Sequence, residues 1–258
     1  MGQIRKKTSA EIEIMQAGGA ILATILKQLS VAAVAGVSTK DIDDVAMELV
    51  AQYKVEPALL GYHPNFAPYP YPAATCISVN DCVQHGIPSV DVVLKDGDVV
   101  NIDMTIGYQG LIVDSGLTVG VGEISKEART LLATTEEALA HGIKAAQPGG
   151  RVGDIGAAIA KVVHSRNLSV VEVLCGHGVG YAVHEEPSVL NFGRPGTGPK
   201  IEVGHVYAIE PIVNVGSKEV FFDDDGDGYG VYTVDGSLSA HFEHTVAITE
   251  NGPLILTK

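Results

Sequence analysis

The sequence predicts a single α+β domain built twice on one plan, with a curved, mostly antiparallel sheet and its helices on the outer face. The order helix, helix, strands occurs twice along the chain, and the segment 97–103 (GDVVNID) resembles the segment 204–210 (GHVYAIE). No low-complexity linker separates the halves, about 1–125 and 126–258. With 258 residues, 46% of them hydrophobic, the chain can bury one large shared core.

Four segments carry the apolar spacing of helices. The first runs from Ser9 to Leu29, and the second is expected from Thr39, a candidate N-cap, to Val50. Two more are expected over 126–146 and 152–166.

The sequence between and after these helices predicts loops and strands. Residues 53–74 are rich in Pro, Tyr and Gly, which indicates an irregular loop. Residues 76–121 alternate β-branched and polar residues between Gly and Asp turns, which predicts strands and hairpins. Strand-like, turn-rich sequence then continues from the fourth helix to Leu256.

Charge and cysteine content narrow the class of protein. The net charge of 17 − 31 = −14 repels phosphate backbones, so no nucleic-acid partner is expected. Three cysteines without a C-x-x-C pair argue against a disulfide framework. The N-terminus lacks the apolar core of a secretory signal, and no apolar run reaches about 18 residues. We therefore expect a soluble cytoplasmic protein with no membrane-spanning helix.

Four acidic residues lie in segments that should be apolar: Asp103, Asp114, Glu210 and Glu243. No Lys or Arg lies within four residues of any of them, and an unpaired buried charge is very costly. Each acid alone could face solvent on an edge strand, but four in matched places favour a divalent metal site. Oxygen ligands with one or two imidazoles suit Mn, Fe, Co or Zn, and bridging carboxylates suit a pair of ions.

Three histidines are candidates for the same site. His177 lies between two glycines, which let backbone approach a ligand closely, and His184 follows seven residues later. The His-Glu-x-x-His pattern is absent, which excludes a single-zinc helical protease. His85 lies in a turn after a predicted strand, where alone it would be read as a surface residue.

Two other features are read as unrelated to catalysis. The run 223–228 (DDDGDG) matches the first half of an EF-hand loop, but Val234 occupies the twelfth position and no helix leads in, so we predict an acidic hairpin tip. His141, His164 and His205 are expected at the surface.

Taken in order, these motifs resemble type I methionine aminopeptidases. The matching strings are SVN at 78–80, HGIP at 85–88, DS at 114–115, GHGVG at 176–180, HEEP at 184–187, IEP at 209–211 and SAHFEHT at 239–245. The resemblance covers nearly the whole chain. Type II enzymes have a long insertion between the positions of Glu210 and Glu243, and its absence here supports type I. It implies the pita-bread fold, which is the duplicated plan above, and removal of the initiator methionine from nascent chains.

The resemblance also implies roles for individual residues. Two divalent ions (Co, Mn, Fe or Zn) would be held by Asp103, Asp114, His177, Glu210 and Glu243. Glu210 would also move the proton, and His85 and His184 would contact the substrate. An apolar methionine pocket is expected from Tyr62, Cys76 and Tyr229, and a monovalent cation near Asn80, Cys82 and Ser239. The expected partners are the N-termini of nascent polypeptides at the ribosome. The enzyme is expected to be a monomer.

Three positions depart from the family pattern. The segment 64–72 is longer than the usual loop, Val183 replaces a residue that is often aromatic, and Tyr229 replaces a tryptophan. In the family these positions help form the methionine pocket. Two alternatives stay open: an Xaa-Pro peptidase with two metal ions on the same fold, and a non-catalytic binding protein on this fold.

Overall fold

The computed structural model describes residues 4–64, 67–223 and 226–258. The helices in these ranges are α1 Ser9–Ala32, α2 Thr39–Tyr53, α3 Lys126–Ala145 and α4 Val152–Ser165. The strands are β1 Glu56–Pro57, β2 Thr75–Val79, β3 Cys82–Gln84, β4 Val99–Tyr108, β5 Leu111–Gly120, β6 Ser169–Val170, β7 Cys175–Gly178, β8 Glu185–Leu190, β9 Val206–Ile209, β10 Ile212–Asn214, β11 Val220–Phe222, β12 Val231–Thr233, β13 Ser239–His241, β14 His244–Thr249 and β15 Gly252–Ile255.

The helices follow the predicted segments, with one correction at the start of α2. Ser38, rather than Thr39, is the N-cap, because its hydroxyl accepts the Asp41 N–H while Asp41 accepts the Ser38 N–H. This reciprocal capping box satisfies two amides that a helix otherwise leaves unbonded. Thr39 instead donates its hydroxyl proton to the Ser89 carbonyl and ties the helix start to the loop before β4.

Every strand pair within the described ranges is antiparallel, as predicted. One sheet is built on the long hairpin of β4 and β5, with β1 and β2 both paired to β4. The other large sheet has the order β15-β14-β9-β7-β8. Two three-stranded sheets, β13-β10-β6 and β11-β12-β3, complete the α+β architecture, which confirms the predicted fold class.

Helix α1 packs across β4 and β5 and buries Leu22, Ile25 and Leu29 completely. By length and composition, it is the one helix in the described ranges that could cross a membrane, with a mean hydropathy of 1.3. No such helix was predicted from the sequence. Core helices of soluble proteins also pass that test, and the buried leucines of α1 contribute to the same apolar cluster as Ile102 and Met104 of β4.

The second apolar cluster lies under α3 and α4, where Leu131, Ile155 and Ile159 pack with Tyr207 of β9. Division of the chain at about residue 125 stays a prediction.

The two large sheets meet along β5 and β14. The Thr245 hydroxyl accepts the Asp114 N–H at 2.8 Å and donates to the Asp114 carbonyl at 2.7 Å. The Glu243 N–H donates to the Gly116 carbonyl at 2.8 Å. This seam brings acidic residues from distant parts of the sequence to one place.

Candidate metal centre

Asp103 and Asp114 lie on the same face of the central hairpin. In its register, Asp103 pairs with Gly116 and Thr105 pairs with Asp114, so the two carboxylates are diagonal neighbours. The Thr105 hydroxyl donates to Asp114 Oδ1 at 2.8 Å and fixes that side chain. The alternation of side chains along β4 thus places Asp103 and Thr105 on the face that carries Asp114.

Glu210 and Glu243 reach the same place from the other sheet. Glu210 directly follows β9, and Gln84 donates from Nε2 to its Oε2 at 3.0 Å. Glu243 was expected within a strand, but it lies at the break between β13 and β14. The reason is its backbone bond to Gly116 across the seam, which takes the residue out of the ladder of its own sheet.

His177 lies on β7, between β8 and β9. Its Nδ1 bonds the Gly178 carbonyl at 2.9 Å, and its Nε2 lies 3.6 Å from Glu210 Oε1 and 3.8 Å from Asp114 Oδ2. The glycines beside it serve neighbouring strands rather than a ligand. A Cβ on Gly176 would lie 2.3 Å from the Ala208 carbonyl oxygen, closer than real side chains approach.

These residues fit a divalent cation. Donor atoms of Asp114, His177 and Glu243 all lie within 4.8 Å of one another. Burial raises the pKa of all four carboxyl groups, and repulsion by neighbouring acids raises it further for Asp103, Glu210 and Glu243. Within the described ranges, no Lys or Arg forms an ion pair with any of them, and Asp103 Oδ1 has no hydrogen-bond partner. Buried anions with oxygen and imidazole donors but no positive side chain are the composition expected of a metal site.

The centre opens into a cavity of about 230 Å³, beside a smaller apolar pocket of about 100 Å³. Both are lined by Leu59, Cys76, His85 and His184. The apolar pocket adds three tyrosines and a proline: Tyr62, Tyr71, Tyr229 and Pro64. The three residues predicted for the methionine pocket therefore lie together. Val183 lines the larger cavity instead.

His184 lies just before β8 and stands close to the predicted metal ligands. Its ring centroid is 4.4 Å from that of His177, and its Nδ1 is hydrogen-bonded to the Tyr62 hydroxyl at 2.8 Å. Burial, with the neighbouring His177, lowers the pKa of His184 to about 4. A phenol that donates to Nδ1 leaves the proton of a neutral ring on Nε2.

His85 follows β3 in the left-handed region, with φ of 59°. Few residues other than glycine adopt this conformation, and it turns the chain sharply at the wall of both cavities. Burial lowers the pKa of His85 to about 4, so this imidazole is also neutral near pH 7. His85 is thus a component of the pocket rather than a surface turn residue.

A buried ion pair fixes the segment that carries His184. Lys7 Nζ lies 2.7 Å from Glu185 Oε2, with 1% of the lysine side chain exposed. Glu185 Oε1 accepts the backbone N–H groups of Tyr181 and Ala182. The N-terminal segment therefore holds one side of the candidate site in place.

Two other regions carried predictions from the sequence: the proposed monovalent cation site and the acidic hairpin tip. The Asn80 carbonyl accepts the Ser239 N–H, which brings two of the three residues predicted for a monovalent cation side by side. Asp223 and Asp227 lie between β11 and β12, where Asp227 Oδ1 accepts two backbone N–H groups. Asp224 and Asp225 of the predicted hairpin tip lie outside the described residues.

Of the histidines expected at the surface, His141 and His164 are exposed. The prediction for His205 is wrong, because this residue is buried and its Nδ1 is hydrogen-bonded to the Tyr207 hydroxyl at 2.6 Å. Sequence reasoning also passed over the polar side chains that support the acids, namely Gln84, Thr105, Thr245 and His241. Only Thr105 could have been suspected from the sequence, because it lies two residues after Asp103 and therefore on the same face of β4.

Comparison with known proteins agrees with this architecture. Residues 13–250 match metallopeptidase family M24. A methionine aminopeptidase from Clostridium perfringens is 45% identical over 251 residues, which are 97% of each chain. The crystal structure of a methionine aminopeptidase from Thermotoga maritima matches with a TM-score of 0.94 at 41% identity, covering 99% of this chain and 100% of that one.

A prolidase from Pyrococcus furiosus shares the fold alone. Its TM-score is 0.74 at 23% identity, over 98% of this chain and 65% of the prolidase. The full-length likeness at higher identity is to the aminopeptidases. The chain belongs to metallopeptidase family M24, among its methionine aminopeptidases.

Proposed function

We propose that this protein is a metal-dependent aminopeptidase that removes the N-terminal methionine of polypeptides whose second residue is small. One observation carries the proposal: a cluster of buried carboxylates without a basic partner opens onto a small apolar pocket beside two neutral imidazoles. The same cavity can therefore serve the reacting groups of a peptide and hold an apolar side chain beside them. The family assignment supports the same activity.

The divalent ions would be held by Asp103, Asp114, His177, Glu210 and Glu243. When bound, such ions lower the pKa of water and polarise a carbonyl oxygen. In this arrangement the carboxylates balance the positive charge, and the Thr105 hydroxyl keeps Asp114 oriented.

Glu210 is suited to carry the proton from the attacking water to the leaving amine. Gln84 donates to its Oε2, which leaves Oε1 on the side of His177. Burial and the charge of Asp103 raise the pKa of Glu210, and a raised pKa makes a carboxylate a better proton acceptor near neutral pH.

His184 and His85 would face the substrate. With its proton on Nε2, His184 can donate a hydrogen bond to the scissile amide as negative charge develops there. Tyr62 holds the other ring nitrogen, so the imidazole does not need to reorient during the reaction.

The apolar pocket would bind the methionine side chain. Tyr71 and Tyr229 meet edge to face at 5.0 Å, and Cys76 is buried beside them. Aromatic rings and a thiol offer a polarizable surface to a thioether.

The alternatives are weaker. Likeness to prolidase extends to the fold alone, which gives no support to Xaa-Pro cleavage. A non-catalytic protein on this fold would be expected to have lost ligands. This chain retains the five predicted metal ligands and both substrate-side histidines, His85 and His184. We further propose that the enzyme acts as a cytoplasmic monomer on nascent chains at the ribosome. The monovalent cation near Asn80, Cys82 and Ser239 stays a prediction.

A reconstitution assay tests the function. Protein freed of metal by a chelator is supplied with Mn²⁺ or Co²⁺ and given Met-Gly, Met-Ala and Gly-Pro peptides. We expect cleavage of the two methionine peptides only, and only after metal is restored. Activity that survives exhaustive chelation would overturn the metal chemistry, and cleavage of the Gly-Pro peptide alone would overturn the specificity.

A further inference from the structure

One more imidazole, that of His241, faces the carboxylate cluster, and the mechanism above gives it no role. His241, the last residue of β13, has none of its surface exposed. Its Nε2 lies 3.6 Å from Glu210 Oε2 and 4.0 Å from Glu243 Oε2. It has no hydrogen-bond partner within residues 4–64, 67–223 and 226–258. Buried polar atoms almost always have a partner, so this one needs an explanation.

The neighbouring amide indicates where the ring proton of His241 lies. Asn101 Nδ2 donates to the Leu117 and His241 carbonyls and to the Thr118 hydroxyl, which assigns the other amide atom as oxygen. That oxygen lies 3.4 Å from His241 Nδ1. Since an amide oxygen can only accept, Nδ1 carries the proton, and a neutral ring then presents a bare lone pair at Nε2.

A lone pair that faces two carboxylates is unfavourable unless a cation lies between them. The contact of Nδ1 with Asn101 Oδ1 holds the ring in this orientation. The backbone beneath it is fixed as well, because its N–H donates to the Thr118 hydroxyl and its carbonyl accepts from Thr118 and Asn101. At 3.6 Å, the contact with Glu210 is too long to be a hydrogen bond. The arrangement is therefore not explained by protein groups alone.

His177 offers a direct comparison. In both residues Nδ1 bonds an amide or peptide carbonyl oxygen, and Nε2 points among the acids. Each Nε2 lies 3.6 Å from Glu210, His177 at Oε1 and His241 at Oε2. A histidine that binds a metal usually donates its other N–H to a carbonyl in this way. Two donors about 2.1 Å from one ion would stand roughly 3.0–3.6 Å apart.

We propose that His241 is a further ligand of the divalent metal centre, binding through Nε2 beside Glu210 and Glu243. The inference rests on the proposed metal-dependent function, which it refines by adding a second imidazole to the expected set. Its rival is a positioning role, in which Nε2–H donates to Glu210 and never contacts metal.

Proton NMR of the Co²⁺-saturated protein separates these two roles. Each ligating imidazole carries one exchangeable N–H proton that the paramagnetic ion shifts far outside the normal range. We expect two such signals in the unsubstituted protein and one in each of His177→Ala and His241→Gln. The matched control, His205→Gln, removes a buried imidazole that is bonded to Tyr207 and should retain both signals.

Metal affinity, measured by chelator competition, gives a second readout. His241→Gln should weaken Co²⁺ binding by at least about 10- to 100-fold, the loss caused even by residues that only support ligands. Weaker binding with two shifted signals retained would overturn ligation in favour of positioning. If the variant does not fold, one signal in the unsubstituted protein is enough to overturn the proposal.

These outcomes are independent of the peptidase assay. Two shifted signals without cleavage of Met-Ala would reject the proposed function and keep His241 as a ligand. Cleavage of Met-Ala with one shifted signal would reject the ligand and keep the function.

Discussion

The metal centre and the apolar pocket beside it are built by different means. Asp103, Asp114 and His177 lie on strands, where ladder hydrogen bonds set the spacing of the side chains. Much of the pocket is built from Tyr62 and Tyr71 of a loop and from Tyr229 beside a hairpin tip. These rings are held through their hydroxyl groups, as where the Tyr71 hydroxyl contacts the Thr75 and Gly86 carbonyls. The contrast indicates that strand pairing positions these metal ligands, whereas loop residues form much of the pocket that selects the substrate. Changes in the loops can therefore alter the pocket while the acids keep their positions.

The largest effect is expected at Glu210, which directly follows β9 and accepts a hydrogen bond from Gln84. Glu210→Gln keeps the shape of the side chain but cannot take a proton. We expect kcat to fall by roughly 10²–10⁴-fold, the usual contribution of a positioned acid–base group. Steady-state kinetics with metal analysis of the purified variant checks this. Near-normal turnover with full metal content would mean that another group moves the proton.

The next effect distinguishes His177 from His184, neighbours with different expected roles. His177→Ala removes a metal bond, so metal content and activity should fall together. His184→Ala should retain nearly full metal content while kcat falls by roughly 10²–10³-fold, because one hydrogen-bond donor to the developing charge is lost. Metal analysis beside kcat decides, and equal metal loss in both variants would contradict the division of roles.

A smaller effect is expected at the link between the two regions. Tyr62→Phe removes the hydroxyl that holds His184 Nδ1 and leaves the apolar ring in place. The loss of one such bond corresponds to about 0.5–1.5 kcal/mol, so we expect kcat to fall by up to about tenfold with unchanged metal content. The control is Tyr53→Phe, which removes a hydroxyl that accepts a hydrogen bond from the exposed Gln28. An equal fall in both variants would refute the orienting role.

A further prediction concerns the thermal stability of the protein without metal. Burial and the three neighbouring acids raise the pKa of Glu243, so its contribution to stability is lost as pH rises through that raised value. In chelator, Glu243→Gln should therefore melt above the unsubstituted protein, by a few degrees per roughly 1 kcal/mol, with a gap that widens as the pH rises above 4.5, the ordinary pKa of the group. Calorimetry beside the exposed Glu13→Gln checks this; a lower melting temperature would refute it.

The smallest effect concerns selectivity. Val183 is buried in the wall of the larger cavity, at a position where the family resemblance leads us to expect an aromatic residue. We expect the native chain to tolerate Met-Val better, relative to Met-Ala, than Val183→Phe does, by several-fold, since small changes in pocket volume discriminate weakly. The ratio of kcat/KM for the two peptides measures it. An unchanged ratio would count against Val183 as a determinant.

The sequence was informative where burial forbids a charge. Asp103, Asp114 and Glu210 could be chosen because an acid in an apolar strand needs a reason to be there, and the matched halves repeated the signal. Gln84 and Tyr62 could not be chosen in this way, because their partners lie 126 and 122 residues away in the chain. An isolated polar residue in a strand or loop carries no mark of such a distant partner.

Local pattern also failed where a tertiary bond overrode it. The break at Glu243 depends on Gly116, far away in the sequence, and its flanking apolar residues predict an unbroken strand. His205 follows a turn signal, yet it is buried by its contact with Tyr207. In both places the deciding partner is fixed by packing between elements.

The buried ion pair of Lys7 with Glu185 has a consequence for the order in which the chain is made. Glu185 is added to the growing chain 178 residues after Lys7. The segment that carries His184 therefore cannot gain this support until those residues have been synthesised. Contacts between such distant residues form late because they require closing a long loop first. A growing chain of this protein would thus remain without a finished catalytic pocket until its second half has emerged.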